Sequence, residues 1–263
     1  MKYPELRKKS WNALKDFFTT LNLDDIWIFR GQSDYRWGLQ TSYKDSFNKQ
    51  EVFGPENERT LLDTFAAKAP IYLQHQDIPT NKLDWLALMQ HHGAPTRLLD
   101  WTYSPYIACF FAFSKAKLKD GYCAIYALNT HTLYENAKNK LGVTVDNHYL
   151  STRKIFLGSS IIDKLFENDI KTVVSVRPLT MNKRLNIQQG LFLVPGSIAV
   201  GFEENLKEVF PTPTNQEIIK IVIPIKLRAE VLSDLHFMNI TQEVLFPDID
   251  GVARSVRDFE NWI

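Results

Sequence analysis

Gln90-His91-His92-Gly93-Ala94-Pro95-Thr96-Arg97-Leu98-Leu99-Asp100-Trp101-Thr102-Tyr103-Ser104-Pro105 is the stretch on which the fold turns. It gathers histidines, an arginine, an aspartate, a tryptophan and threonines into one short loop. Proline fixes φ and glycine opens φ > 0, so Pro95, Pro105 and Gly93 hold the loop in shape. Upstream, Leu83 to His92 reads as a helix with Gly93 as its stop. Downstream, Pro105 starts a helix Tyr106 to Lys119. This helix is apolar nearly all round at Ile107, Ala108, Phe110, Phe111, Ala112 and Phe113, and is therefore expected to be central. Well before the loop lies Ile26-Trp27-Ile28-Phe29-Arg30-Gly31-Gln32, an apolar strand ending in an arginine. These two stretches are expected to meet and form a site.

The rest of the chain reads outward from them. Glu5 to Leu21 has apolar residues near helical spacing and is expected to be a peripheral N-terminal helix. Asp24-Asp25 turns the chain into the first strand. A polar, aromatic-rich loop runs from Gly31 through Arg36-Trp37 to about Phe53, and a helix covers Glu56 to Lys68. Tyr122 to Leu128 is a buried strand, Asn129 to Asn168 a mixed polar stretch, and Thr172 to Arg177 a β-branched strand. Leu191–Val194 and Ile198–Phe202 read as two strands around the Pro195-Gly196 turn, and Ile218–Ile225 as another. Helices are expected over Lys226–Phe237 and Val252–Trp262. Helices dominate the first half and strands the second, which favours an α+β fold over repeated βαβ units. Without a repeat, a low-complexity tract or a clear linker, residues 1–263 read as one domain.

Composition narrows the function. The chain has 263 residues, 44% of them apolar and 13% aromatic, which excludes a disordered chain. A net charge of +1 advertises neither nucleic acid nor membrane as a global partner. The two cysteines, Cys109 and Cys123, sit in apolar segments and read as buried thiols. No N-terminal signal and no run long enough to span a bilayer are found, so a soluble cytoplasmic protein is expected, with no membrane partner. The Gly-rich phosphate loops and the nucleophile elbow are absent. His91 and His92 are adjacent and point about 100° apart on a helix, a poor metal pair, so no metal is expected.

A polar constellation suited to binding is left. Arg30, at the end of an apolar strand, needs a carboxylate or phosphate partner. It either pairs with Asp100 or clamps a ligand phosphate through two hydrogen bonds. Arg97 and Asp100 have the same two readings, internal pairing or ligand contact. His91 either caps and packs or touches ligand. Trp101 and Tyr103 either anchor the loop or flank a planar ring.

Phe29-Arg30-Gly31, the Gln90–Pro105 stretch, Gln189-Gly190-x-Phe192 and Leu245-Phe246-Pro247-Asp248-x-x-Gly251 together resemble the FRG domain, a bacterial and phage family, from about Ile26 to Arg257. A weaker resemblance is to ADP-ribosyltransferases of the Arg-Ser-Glu type, in the order Phe29-Arg30-Gly31, Asp100-Trp101-Thr102 and Gln188-Gln189-Gly190 through Pro195-Gly196. That likeness implies a split antiparallel sheet with helices packed mainly from the N-terminal half. It implies an NAD-dependent ADP-ribosyltransferase acting as an intracellular toxin or phage-defence effector on a protein or RNA acceptor, with a neutralising antitoxin protein as partner. Arg30, Thr102 and Gln189 would be catalytic. Arg30, Gly31, Gln32, His91, Arg97, Asp100, Trp101 and Tyr103 would bind NAD, with Trp101 or Tyr103 stacking on the nicotinamide.

Gln189 stands where that type carries a catalytic glutamate. It can hydrogen-bond a ribose hydroxyl but supplies no negative charge. Either the carboxylate comes from Asp100, Glu243 or Asp248, or the cleft binds a nucleotide or nucleic acid without turning it over. Arg36-Trp37, Arg97–Trp101 and Lys183-Arg184 offer basic residues with aromatic neighbours for that second case.

Overall fold

The computed structural model describes residues 1–21, 26–47, 54–74, 78–116, 121–142, 159–178 and 182–257. Seven strands are described: β1 (Glu5–Arg7), β2 (Trp27–Gln32), β3 (Leu99–Thr102), β4 (Tyr122–Asn129), β5 (Val173–Val176), β6 (Gly190–Pro195) and β7 (Ile218–Pro224). They form one sheet in the order β1-β7-β4-β2-β3-β6-β5. The β1–β7 pair is parallel and every other pair is antiparallel. With the helices on both of its faces, the protein is α+β.

The central strands are apolar runs because both faces are covered. From Cys123 to Asn129 every residue of β4 is buried, as is all of β6. On one face, Phe29, Ile125 and Ile221 pack under α1 (Trp11–Thr20), α5 (Pro105–Ser114) and the helix Arg228–Phe237. On the other, Ile28, Tyr126, Leu128 and Leu193 pack under Phe202, Leu206 and Val209. A third cluster joins α4 (Lys82–His91) and the helix Ser159–Glu167 to Val174, Val176, Phe192 and Val194. As expected from its all-round apolar pattern, α5 is central, with Ala108, Cys109, Ala112 and Phe113 fully buried.

The sheet nearly parts in its middle. β2 pairs with β4 through six residue pairs, from Trp27–Asn129 to Gln32–Ala124. β2 meets β3 at one pair, Phe29 opposite Thr102. Beyond Phe29 the two strands separate, and Arg30, Gly31 and Gln32 face an opening where a further ladder would stand.

Several expectations are corrected. Residues 5–21 are not one helix. Glu5–Arg7 is an edge strand beside Lys220–Val222, and α1 starts at Trp11, where the Ser10 hydroxyl accepts from Ala13 N at 3.3 Å. Ile198–Phe202 is not a strand. Phe202–Val209 is a helix with Phe202, Leu206 and Val209 buried at helical spacing. The fully buried Asn205 turns the chain into it, holding the N–H and carbonyl of Ser197 and the carbonyl of Gly201. The loop after Gly31 contains α2 (Ser42–Phe47). The Asp24-Asp25 turn, residues 48–53, the end of the expected helix at 117–119, residues 143–158 and residues 258–262 lie outside the described residues. Among the described residues, no helix is long and apolar enough to cross a membrane.

Candidate functional site

The opening between β2 and β3 is a cleft of about 280 Å³. Arg30, Gly31 and Gln32 from β2 form one wall, and Asp100, Trp101 and Thr102 from β3 the other. Lys115 after α5, Arg184, Gln188 and Trp37 complete its lining. A second hollow of about 460 Å³ shares Arg30, Gln32 and Trp37 with it. The expected meeting of the two stretches is thus what the fold makes.

Arg30 donates from Nη1 to the Asp100 carbonyl at 2.6 Å, which bridges the parted strands. Among the described residues, three cationic side chains, Arg30, Lys115 and Arg184, share the cleft with one carboxylate, Asp100. The Asp100 side chain is exposed, and among the described residues it makes no hydrogen bond or ion pair. Two buried polar atoms in the cleft wall have no partner among the described residues, Gln32 Oε1 and Trp101 Nε1. Gln32 is oriented by Nε2, which donates to the Gly38 carbonyl at 3.0 Å. Arg184 is held with its guanidinium 4.5 Å over the Phe246 ring, so the late Leu245–Gly251 motif buttresses the cleft from behind. In that motif the Asp248 carboxylate accepts from Gly251 N at 2.7 Å, and Leu245 O accepts from Gln188 Nε2 at 2.9 Å.

Other expected site residues have structural work instead. Arg97 is 1% exposed and forms a buried ion pair with Glu58, its Nε donating at 2.8 Å to each carboxylate oxygen. Nη1 reaches the carbonyls of Pro195 and Gly196 at 3.4 Å, and the guanidinium lies 4.3 Å over the Phe166 ring. It is sealed in the interior and has no face left for ligand. Thr102 lines the cleft, but its hydroxyl is committed twice: it donates to the Gln188 carbonyl at 2.7 Å and accepts from Ser104 N at 3.0 Å. Gly31 is glycine because α5 crosses it. A Cβ there would stand 1.9 Å from the Ala108 carbonyl oxygen. Tyr103 packs half-buried against the core beside Trp101 rather than lining the cleft.

Gln189 is also outside the cleft lining. It occupies a left-handed turn at φ +46° with an exposed side chain. Its backbone N–H donates to Asn186 O and its carbonyl accepts from Tyr103 N, both at 3.0 Å. Its neighbour Gln188 is the one that reaches the rim. Missed by the sequence reading as site residues were Trp37, Lys115, Arg184, Gln188 and the Glu58 partner of Arg97. Only the basic–aromatic texture of Arg36-Trp37 and Lys183-Arg184 hinted at any of them.

His91 lies at the C-terminal turn of α4, against His92 with ring centroids 4.8 Å apart, and does not line the cleft. Burial pushes its pKa below the usual imidazole value, and His92 and Arg184 push the same way against a smaller opposite pull from Asp248. Because the unfolded chain binds the proton more readily, stability is lost as pH falls below about 6.5. Thermal melts between pH 7 and 5 are expected to show a shallower decline for His91→Gln than for the wild type; equal slopes would refute it. Both cysteines are buried free thiols, and Cys123 is pushed up to about 12 by burial. Among the described residues, no group of three or more His, Cys, Asp or Glu side chains is placed to hold a metal ion.

Residues 25–121 match a family model described as FRG domain, a stretch that takes in β2, the Gln90–Pro105 loop and α5. The match is shorter than the Ile26–Arg257 span expected from the motifs, and the Gln189 and Leu245–Gly251 motifs lie beyond it. Searches of curated proteins and of solved structures gave no match.

Proposed function

We propose that this chain binds NAD in the cleft between β2 and β3 and transfers ADP-ribose to a macromolecular acceptor, a protein or an RNA. The observation that carries the reading is the parting of the sheet at Phe29–Thr102, which leaves Arg30 facing a cleft where, among the described residues, three cations meet one carboxylate. A diphosphate suits that charge balance, and a guanidinium can hold it through two parallel hydrogen bonds. Gln32 Oε1 and Trp101 Nε1, buried in the cleft wall without a partner among the described residues, would suit a ligand that offers both a donor and an acceptor. The cleft and the adjoining hollow have the size of a small-molecule site. The element order, with an arginine near the end of one strand and a threonine-bearing strand beside it, agrees with the Arg-Ser-Glu likeness.

In this reading Arg30 binds the diphosphate, Arg184 and Lys115 add charge at the rim, and Thr102 braces the wall by tying β3 to the turn before β6. Incubation of the purified protein with labelled NAD and cell extract is expected to release nicotinamide and label a macromolecule. The absence of both products would overturn the proposal. Arg30→Ala is expected to weaken NAD binding about 10- to 150-fold by calorimetry, the worth of a charge-assisted hydrogen bond. The toxin or phage-defence role belongs to the same proposal: expression in cells should arrest growth for the wild type and not for Arg30→Ala.

A second reading is favoured by Trp37, which is 55% exposed and lines both hollows with Arg30. A stacking platform beside basic residues suits a non-catalytic nucleic-acid module. Binding to single-stranded RNA that weakens steeply with salt, without any nicotinamide release, would select it.

A further inference from the structure

We propose that Asp100 is the carboxylate that catalyses the transfer, in place of the glutamate for which Gln189 is the sequence counterpart; this inference rests on the NAD reading above. Of the three carboxylates that sequence order allows, the fold leaves one in position. Asp248 spends its side chain capping the N–H of Gly251, and Glu243 sits in the helix Gln242–Leu245, away from the cleft lining. Gln189 itself turns outward on its left-handed backbone. Asp100 is on a cleft-lining strand, exposed between the buried Leu99 and Trp101. An exposed charge in the middle of a strand with buried neighbours, and with no partner among the described residues, is free to act on a ligand.

The same residue is tied to the phosphate-binding arginine. Arg30 Nη1 is anchored on the Asp100 main-chain carbonyl at 2.6 Å. The guanidinium therefore does not neutralise the carboxylate through that bond, which joins the two residues across the parted strands. A negative charge on that wall of the cleft stabilises positive charge developing on the ribose of a bound dinucleotide. It is also placed to take a proton. In the step assigned to it, Asp100 accepts the proton of the acceptor's nucleophilic atom as that atom bonds to C1′ of the nicotinamide-bearing ribose. The C1′–N bond breaks, its electron pair goes to the ring nitrogen, and nicotinamide leaves neutral.

The test measures NAD binding by calorimetry and nicotinamide release in cell extract for the wild type, Asp100→Asn, and Asp100→Asn combined with Gln189→Glu, with thermal melts to confirm folding. Asp100→Asn is expected to bind NAD within threefold of the wild type and to release nicotinamide at least tenfold more slowly, on the scale of a general base about 100-fold. Adding Gln189→Glu is expected to restore nothing. A fall in release of less than tenfold, a parallel loss of NAD affinity, or recovery in the combined variant overturns the assignment while leaving the NAD reading standing. Should Asp100→Asn fail to fold, Asp100→Ser carries the same comparison. Failure of the wild type to bind or cleave NAD removes the NAD reading itself, and this assignment with it.

Discussion

Glu58→Ala is expected to lower the unfolding free energy by about 3–5 kcal/mol, the cost of leaving one member of a buried ion pair without the other. Glu58 and Arg97 are each 1% exposed at their side chains. In the wild type the guanidinium is met by both carboxylate oxygens, and its Nη2 also donates to Oε2. Without the carboxylate, Arg97 keeps, among the described residues, the face of Phe166 and two contacts to carbonyls at 3.4 Å, too weak together to compensate for lost hydration. The pair ties α3 (Pro55–Lys68) to the loop before β3 and to the end of β6, so its loss loosens three elements together. The nearby Tyr43 responds to the same charge: burial raises its pKa first, and Glu58 raises it further. Urea unfolding measures the effect, and a loss below 1 kcal/mol would show the pair to be dispensable. Replacing both members by apolar residues of similar volume is expected to recover much of the stability.

Gly31→Ala is expected to cost at least about 3 kcal/mol, at or beyond the upper end of overpacking penalties, and to leave little folded protein. The added methyl would stand 1.9 Å from the Ala108 carbonyl oxygen and 2.6 Å from the Ala112 nitrogen. Both are backbone atoms of a helix buried on every side, so no rotamer change relieves the overlap, and trimming Ala108 would not help. The wild-type melt compared with that of Gly31→Ala decides the matter; a shift of only a degree or two would refute it. The comparison also separates adjacent residues. Arg30→Ala is expected to lose ligand with the fold kept, whereas Gly31→Ala loses the fold first.

The motif Phe-Arg-Gly thus divides its work between elements. Phe29 is core and the last residue of β2 to pair with β3, Arg30 faces the cleft, and Gly31 admits α5. In the long loop, Thr96 is fully buried and its hydroxyl meets Gln90 Oε1, while its backbone holds Ser42 and Tyr43 of α2. Gln90, Thr96 and Arg97 are therefore held as scaffold, whereas the Asp100 side chain stays exposed on a strand that lines the cleft. Sequence reading saw an unusual density of polar groups in one stretch. It had no means of telling which would be consumed internally, because partners such as Glu58 and Ser42 lie 39 and 54 residues away.

From the sequence by itself came the α+β class, the central apolar helix, the strand that carries Arg30 (though it runs on to Gln32), and the meeting of that strand with the Gln90–Pro105 loop. Those follow from local periodicity and from capping residues such as Gly93 and Pro105, which act over a few positions. Only the tertiary structure decided that the sheet parts after Phe29, that Arg97 is sealed against Glu58, and that Gln189 turns away from the cleft while Asp100 faces it. Hydrogen-bond satisfaction in a buried interior depends on which distant groups arrive together, and strand pairing across a long connection sets that.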